Sequence, residues 1–165
     1  MKLRYSAKRD GFDCKDWHDI CDNKGKTLVL IKTKDNFIFG GFTQVGWTTD
    51  PSKWTEEDAY YEMIFFNDPN AFIFSLRNDK NNRKPKKFPI NKSEEDYAIY
   101  YLPTQGPTFG FGDICFKFTL RKGVSDFGDK YNLPKGIKYG TNEAKSYLAG
   151  SYDKWKVDEV ETYFI

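Results

Sequence analysis

The sequence has no excess of charge of one sign and no long apolar run. Its 26 lysines and arginines are nearly balanced by 24 aspartates and glutamates, which leaves a formal net charge of +2. So small an excess, spread along the chain, creates no domain-wide field for a polyanion, which argues against a nucleic-acid partner. No apolar run approaches the roughly 20 residues of a membrane span, and no apolar signal segment follows the start. We therefore expect no membrane insertion and a cytoplasmic location.

Cysteine and histidine are also scarce. The three cysteines, Cys14, Cys21 and Cys115, are an odd number in a chain large enough to fold without disulfides. This predicts free thiols in a reducing compartment. With one histidine, His18, no serine in a nucleophile-elbow context and no metal-ligand pattern, no complete catalytic set can be assembled. The sequence thus predicts no cofactor, no metal site and no enzyme activity.

Aromatic side chains are abundant and make up 18% of the 165 residues. β-Branched residues are also plentiful, whereas alanine and leucine are sparse, which favours a sheet-dominated core filled with rings. A chain of this length is expected to form one domain. We predict a single domain over residues 1–165 of the α+β class, a two-sheet antiparallel β-sandwich flanked by a few helices.

Short apolar or alternating runs bounded by turn residues predict the strands. These runs are residues 2–6, 27–33, 37–43, 71–76, 97–102, 114–120 and 155–165, while 60–66 fits either a strand or a helical turn. A helix is expected to begin after Asp13, with Asp16 in its first turn, and to end between Asn23 and Gly25. Residues 45–58, 79–87 and 122–145 are predicted to be loops, the last of them a long surface excursion.

Glycines mark two further positions. Gly40 and Gly41 lie inside a predicted strand, which indicates a bulge or a close approach by another backbone. Residues 106–112 are predicted to form the bend between two strands. This segment superficially resembles a phosphate-binding loop, but it lacks the lysine–serine/threonine pair and does not open a helix.

Cys14, His18 and Cys21 are spaced i, i+4, i+7, which places them on one face of the predicted helix. A metal site or a Cys-His nucleophile pair could in principle be built there. Structural zinc needs four ligands, however, and cysteine on the apolar face of a helix commonly packs as a small hydrophobe. The packing interpretation is therefore favoured over catalysis or metal binding.

Residues 79–87 hold five basic side chains, followed by Phe88, which could stack on a nucleic-acid base. A solvated loop explains the same charges. Without a matching sheet of exposed aromatics, the nucleic-acid interpretation is disfavoured.

Several segments, in this order, resemble the TLDc domain, the module of oxidation-resistance proteins. The similarity spans nearly the whole chain, and it rests on the order of the segments rather than on any one of them. The segments are Leu3-Arg4-Tyr5-Ser6, Arg9-Asp10-Gly11-Phe12, Trp17-His18, residues 21–25, 27–32 and 38–43, Trp47, and residues 70–76, 106–110, 147–151 and 157–163. The run Phe111-Gly112-Asp113 departs from the family pattern, because many relatives have glycines there.

The resemblance implies a sandwich of two antiparallel sheets with packed helices and a non-catalytic role in protection against oxidative stress. It also implies a protein partner, since several relatives bind the vacuolar proton-pumping ATPase and regulate it or promote its disassembly. From the family pattern, the partner-binding residues are expected to be Gly106, Gly110, Glu159 and Glu161.

Three hypotheses follow from the sequence. The leading one is a protein-interaction module that presents loops and the C-terminal strand to a cytosolic complex, including the vacuolar proton-pumping ATPase. The alternative is a thiol-based peroxide scavenger using Cys14 or Cys21, which would need an exposed thiol with a lowered pKa. The third is an assembly unit for another chain, steered by the basic charges of residues 80–87.

Overall fold

The structure is a computed structural model that describes residues 1–48, 50, 64–79 and 84–165. In chain order the described strands are β1 (Lys2–Ser6), β2 (Thr27–Thr33), β3 (Ile38–Thr43), β4 (Ile64–Phe66), β5 (Phe72–Arg77), β6 (Lys86–Pro89), β7 (Ile99–Tyr101), β8 (Thr108–Phe109), β9 (Cys115–Phe116), β10 (Lys122–Val124) and β11 (Trp155–Phe164). The α-helices are α1 (Ala7–Asp10), α2 (Cys14–Cys21) and α3 (Asn142–Lys145), and a 3-10 turn covers Glu95–Tyr97.

These strands form two antiparallel sheets. The large sheet has the order β6-β5-β3-β2-β11-β10-β9, and β1 also pairs with β11. The small sheet has the order β4-β7-β8. With few helices beside these sheets, the predicted α+β sandwich is confirmed.

The C-terminal strand β11 lies inside the large sheet. From Val157 to Phe164, β11 pairs with β2 on one side. On its other side Trp155 and Lys156 pair with β10, and residues 161–164 pair with β1. The predicted half-buried strand is confirmed, and its inward positions are apolar or hydroxylic, with Val157, Val160 and Thr162 buried. The segment 155–164 is thus a central strand, because strands distant in sequence pair with it on both sides.

Helix α2 begins where the sequence predicts. Asp13 precedes it, and the Asp16 carboxylate accepts the backbone N–H of Asp13 at 3.3 Å, so the first turn is capped from within. The apolar face of α2 is buried: Trp17 and Cys21 are inaccessible to solvent, and the indole N–H of Trp17 donates to Thr162 Oγ1 at 2.9 Å. This hydrogen bond fixes α2 to the middle of the large sheet.

The predicted close approach by another backbone is confirmed at Gly40, whereas the close neighbour of Gly41 is a side chain. A Cβ on Gly40 would lie 1.9 Å from the carbonyl oxygen of Val29 on the neighbouring strand. A Cβ on Gly41 would lie 2.5 Å from the ring of Phe109 in the small sheet. The two glycines therefore let β3 pack closely against β2 and against the second sheet.

Three loop and strand predictions were wrong. Residues 86–89 form an edge strand rather than the end of a charged loop, because Phe88 is buried opposite Ile73. The strand predicted over residues 114–120 is only β9, since the backbone turns at Phe118, which has φ +64°. The predicted surface excursion 122–145 contains β10, α3 and the buried rings of Phe127 and Tyr131.

Smaller differences concern the ends of elements. The strand predicted from residue 97 begins at 99, after the 3-10 turn. Of the ambiguous segment 60–66, the part from 64 is strand, and the rest lies outside the described residues. The same holds for most of the predicted loop 45–58 and for residues 80–83 of the basic run.

Candidate functional site

The predicted cluster on α2 is buried, as its spacing indicated. Cys14, His18 and Cys21 are 3%, 5% and 0% exposed. The His18 ring is held at both nitrogens, by Asp22 Oδ1 at 2.9 Å from Nδ1 and by the carbonyl oxygen of Gln105 at 2.7 Å from Nε2. Both ring nitrogens are therefore engaged by oxygen atoms, and neither is directed at a thiol. A Cys-His nucleophile pair needs a hydrogen bond between the imidazole and the thiol, and this ring makes its hydrogen bonds to Asp22 and Gln105 instead.

The thiols are not activated. Burial raises the pKa of Cys14 to about 12 and the pKa of Cys21 to about 12. Burial also raises the pKa of Cys115, whose Sγ donates to Gln105 Oε1 at 3.4 Å. Reactive cysteines have the opposite properties, partial exposure and a lowered pKa. All three cysteines are free, as predicted, and they pack as small hydrophobes.

A series of packed aromatic rings surrounds this cluster. The ring of Trp17 lies edge-on to His18, with centroids 4.8 Å apart, and to Trp47, with centroids 5.2 Å apart. Trp47 in turn contacts Phe109, and its indole N–H donates to Thr27 Oγ1 at 2.9 Å. Because the indoles are paired and packed, this part of the molecule is core rather than a ligand site.

The predicted glycine positions lie inside the bend 106–112. Gly106 and Gly110 are both buried. A Cβ on Gly106 would lie 2.3 Å from Leu120 Cδ2, and Gly110 has φ +64°. Both positions need glycine for packing or backbone conformation. Their role in partner binding stays a prediction.

Sequence reasoning missed the importance of Asp113, which organises the chain beside this bend. Its carboxylate accepts backbone N–H groups of Gly128 at 2.8 Å, Lys130 at 3.0 Å and Tyr131 at 3.3 Å. Burial raises the pKa of Asp113 to about 7, although these hydrogen bonds act in the opposite direction. The residue therefore fixes the segment 128–131 on the core, and the departure from a glycine run noted in the sequence was the signal for it.

The predicted acidic positions lie on one side of β11 and are half-buried. Glu159 accepts the Ser6 hydroxyl at 3.2 Å and the backbone N–H of Lys8 at 3.2 Å, which ties β11 to the start of α1. Glu161 accepts the hydroxyl of Tyr163 at 2.6 Å, and this contact raises the pKa of Tyr163 to about 12. The structure thus brings the two glutamates together on β11 but keeps both glycines in the bend. That the two glycines and the two glutamates together bind a partner remains a prediction.

A second feature missed from sequence is apolar surface on the large sheet. In β2, the side chains Leu28 and Leu30 alternate with the buried Val29 and Ile31. In β5, Phe72 and Phe74 alternate in side with the inward Ile73; Phe72 is partly exposed and Phe74 is 7% exposed. Strands that are apolar on both faces are typical of sheets covered on both faces. The apolar residues on both faces of β2 and β5 were the sequence signal that could have predicted this apolar surface.

No set of three or more histidine, cysteine, aspartate or glutamate side chains in the described ranges is arranged to hold a metal ion. No helix in the described part of the chain combines the length and the apolar character that a membrane span requires.

The fold and these buried polar groups define a class: an α+β domain with two antiparallel sheets whose thiols and imidazole are internal. The family model of the TLDc domain matches residues 1–165. The chain therefore belongs to the TLDc domain family. Comparison with curated proteins gave no match.

Proposed function

We propose that this TLDc domain is a non-enzymatic protein-interaction module that contributes to resistance against oxidative stress from the cytoplasm. One observation carries the proposal: the side chains best suited to chemistry are built into the core. Cys14 and Cys21 are buried with strongly raised pKa values, and His18 has both ring nitrogens occupied. The residues left on the surface can act by binding a partner, so function is assigned to that surface.

The proposed partner is a subunit of the vacuolar proton-pumping ATPase. This assignment follows from the family resemblance, because related TLDc proteins regulate that enzyme. The two-sheet framework supports protein binding in general, since a rigid sheet holds surface side chains at constant positions and lowers the entropic cost of association.

Binding can be tested with the purified domain and the purified ATPase. We expect co-sedimentation of the domain with the enzyme and a dose-dependent change in the fraction of assembled complex. A domain that captures no protein from cytosol and does not associate with the ATPase would contradict the interaction function.

A cysteine-free variant separates this proposal from peroxide scavenging. Replacing Cys14, Cys21 and Cys115 with alanine removes every thiol and keeps the buried positions small and apolar. If the function is binding, cells carrying the folded variant keep their protection against peroxide, whereas a scavenger would lose it. Thermal unfolding of the variant serves as the control for folding.

A further inference from the structure

The large sheet carries a continuous apolar row on the side that faces away from the core. Residues paired directly across neighbouring antiparallel strands point to the same side of a sheet. The register places five apolar side chains in one such row across five strands, Leu3, Tyr163, Leu28, Phe42 and Phe72. We call the side defined by these five residues the outer face. The alternate positions Val29 and Ile73 point inward and are fully buried.

The outer face contains an open groove. Its volume is about 490 Å³, and most of its lining is apolar, including Leu28, Leu30, Phe72, Phe74 and Leu76. Leu76 is 40% exposed. A contiguous apolar patch of this kind marks an interaction site on a soluble domain, because water would otherwise cover it at a free-energy cost.

Positive charge borders one end of the groove. Lys86 and Lys87 line it, and Lys84 lies exposed just before β6. The ammonium of Lys87 lies 3.9 Å from the centroid of the Phe72 ring, so its stem covers apolar surface while its charge stays accessible. Within the described ranges, none of these lysines takes part in an ion pair.

The edge of the sheet next to these lysines is poorly suited to accept an added strand. β6 ends at Pro89, which has no N–H, and the carbonyl of Pro89 already accepts the N–H of Asn132 at 3.0 Å. Proline at an edge and a covering loop both block strand addition. A partner therefore has the face rather than the edge to bind.

We propose that the outer face binds an amphipathic helix of a partner protein, with apolar side chains in the groove and acidic side chains against Lys84, Lys86 and Lys87. The positive charge of the lysines favours acidic side chains beside the apolar side of the partner, and the apolar row favours a helix with one apolar side. The inference rests on the proposed interaction function and names the surface and the partner chemistry.

A synthetic peptide provides the probe. The test peptide is a fluorescent amphipathic helix of about five turns with leucine on one side and glutamate on the other. One control peptide has lysine in place of glutamate, and another has the same composition in an order without an apolar side. We expect anisotropy to report binding of the acidic amphipathic peptide only, weakened by added salt.

Variants locate the site. Leu76→Glu places a charge in the groove at a position exposed enough to keep the fold, and we expect it to weaken peptide binding about tenfold or more. Phe118→Glu is the matched control, because Phe118 is 73% exposed and lies outside this groove. It should leave the affinity unchanged. Lys87→Glu should weaken the acidic peptide and strengthen the lysine peptide.

Equal binding of all three peptides, or an unchanged affinity for Leu76→Glu, would overturn the proposal. Self-association of the wild-type domain that Leu76→Glu abolishes would also overturn it, because the occupant would then be a second copy. So would stronger binding to phosphatidylserine vesicles than to the peptide, because the occupant would then be a lipid surface.

Capture of the native partner distinguishes failure of the outer-face proposal from failure of the proposed interaction function. If Leu76→Glu still captures the ATPase, the outer face is wrong while the interaction function stands; if wild type captures nothing, the function itself fails.

Discussion

Alkylation of the native protein is the perturbation that tests the site most directly. Only the thiolate reacts, so the rate of labelling follows the fraction of each cysteine that is ionised. With a pKa of about 12 in place of the ordinary 9.0, Cys14 and Cys21 hold about a thousandfold less thiolate at neutral pH. Burial adds a steric barrier, since the reagent reaches these atoms only when the structure opens.

The assay is a time course of iodoacetamide labelling, with each cysteine resolved by mass spectrometry. We expect Cys14 and Cys21 in the folded protein to react at no more than about one-thousandth of their rate in denaturant. Cys115 should react fastest of the three, because it lines a surface groove and because a hydrogen bond with Thr108 and the Lys117 charge both lower its pKa against the effect of burial.

The order of rates is the informative result. A Cys115→Ala variant should lose the fastest phase and leave the two slow sites unchanged. If Cys14 or Cys21 is instead labelled as fast as in denaturant while the circular dichroism stays native, the argument from burial is refuted. Peroxide chemistry at α2 would then become the better explanation of function.

Three other substitutions test the fold by urea denaturation. Gly40→Ala should destabilise by about 3 kcal/mol or more, since its Cβ would lie 1.9 Å from the Val29 carbonyl oxygen, and a wild-type midpoint would contradict that packing. Thr162→Val should cost about 1–3 kcal/mol by leaving the buried Trp17 indole N–H unpaired, and a neutral effect would mean that this hydrogen bond adds nothing. Asp113 has a folded-state pKa of about 7 against an ordinary 3.8, so the folded state binds the proton more tightly and this stabilisation is lost as pH rises from about 4 to about 7. Asp113 changes the free energy of unfolding by at most about 1.4 kcal/mol per pH unit, so the stability of Asp113→Asn should vary less with pH. Identical pH dependence of stability in both proteins would disprove the raised pKa of Asp113.

Local patterns predicted the elements that carry strong periodicity or capping. The run Thr27–Thr33 appears in the structure with the expected bounds, and the capped helix begins after Asp13 as expected but ends at Cys21, before the predicted end between Asn23 and Gly25. The edge strand β6 did not, because charged residues precede it and only the burial of Phe88 against the neighbouring strand makes it regular. Segment 122–145 was misjudged for a related reason. Its backbone is irregular, but its rings are buried by residues distant in sequence.

In the candidate site too, some features followed from local sequence patterns and others only from tertiary packing. The spacing of Cys14, His18 and Cys21 was sufficient to place them on one helix face, and composition favoured packing over chemistry. The pKa values of Cys14 and Cys21 depend on burial that no spacing reveals. The orientation of the His18 ring depends on Gln105, 87 residues away along the chain.

By itself, then, the sequence determined the class of fold, the family and most strand positions, because these depend on alternation, turn chemistry and the order of local motifs. Only the tertiary structure decided that β11 is a central strand, that Asp113 fixes a distant loop and that one apolar row lies open across five strands. The physical reason is that register and burial are properties of pairs of segments, and each segment's sequence describes only its own half of the pair.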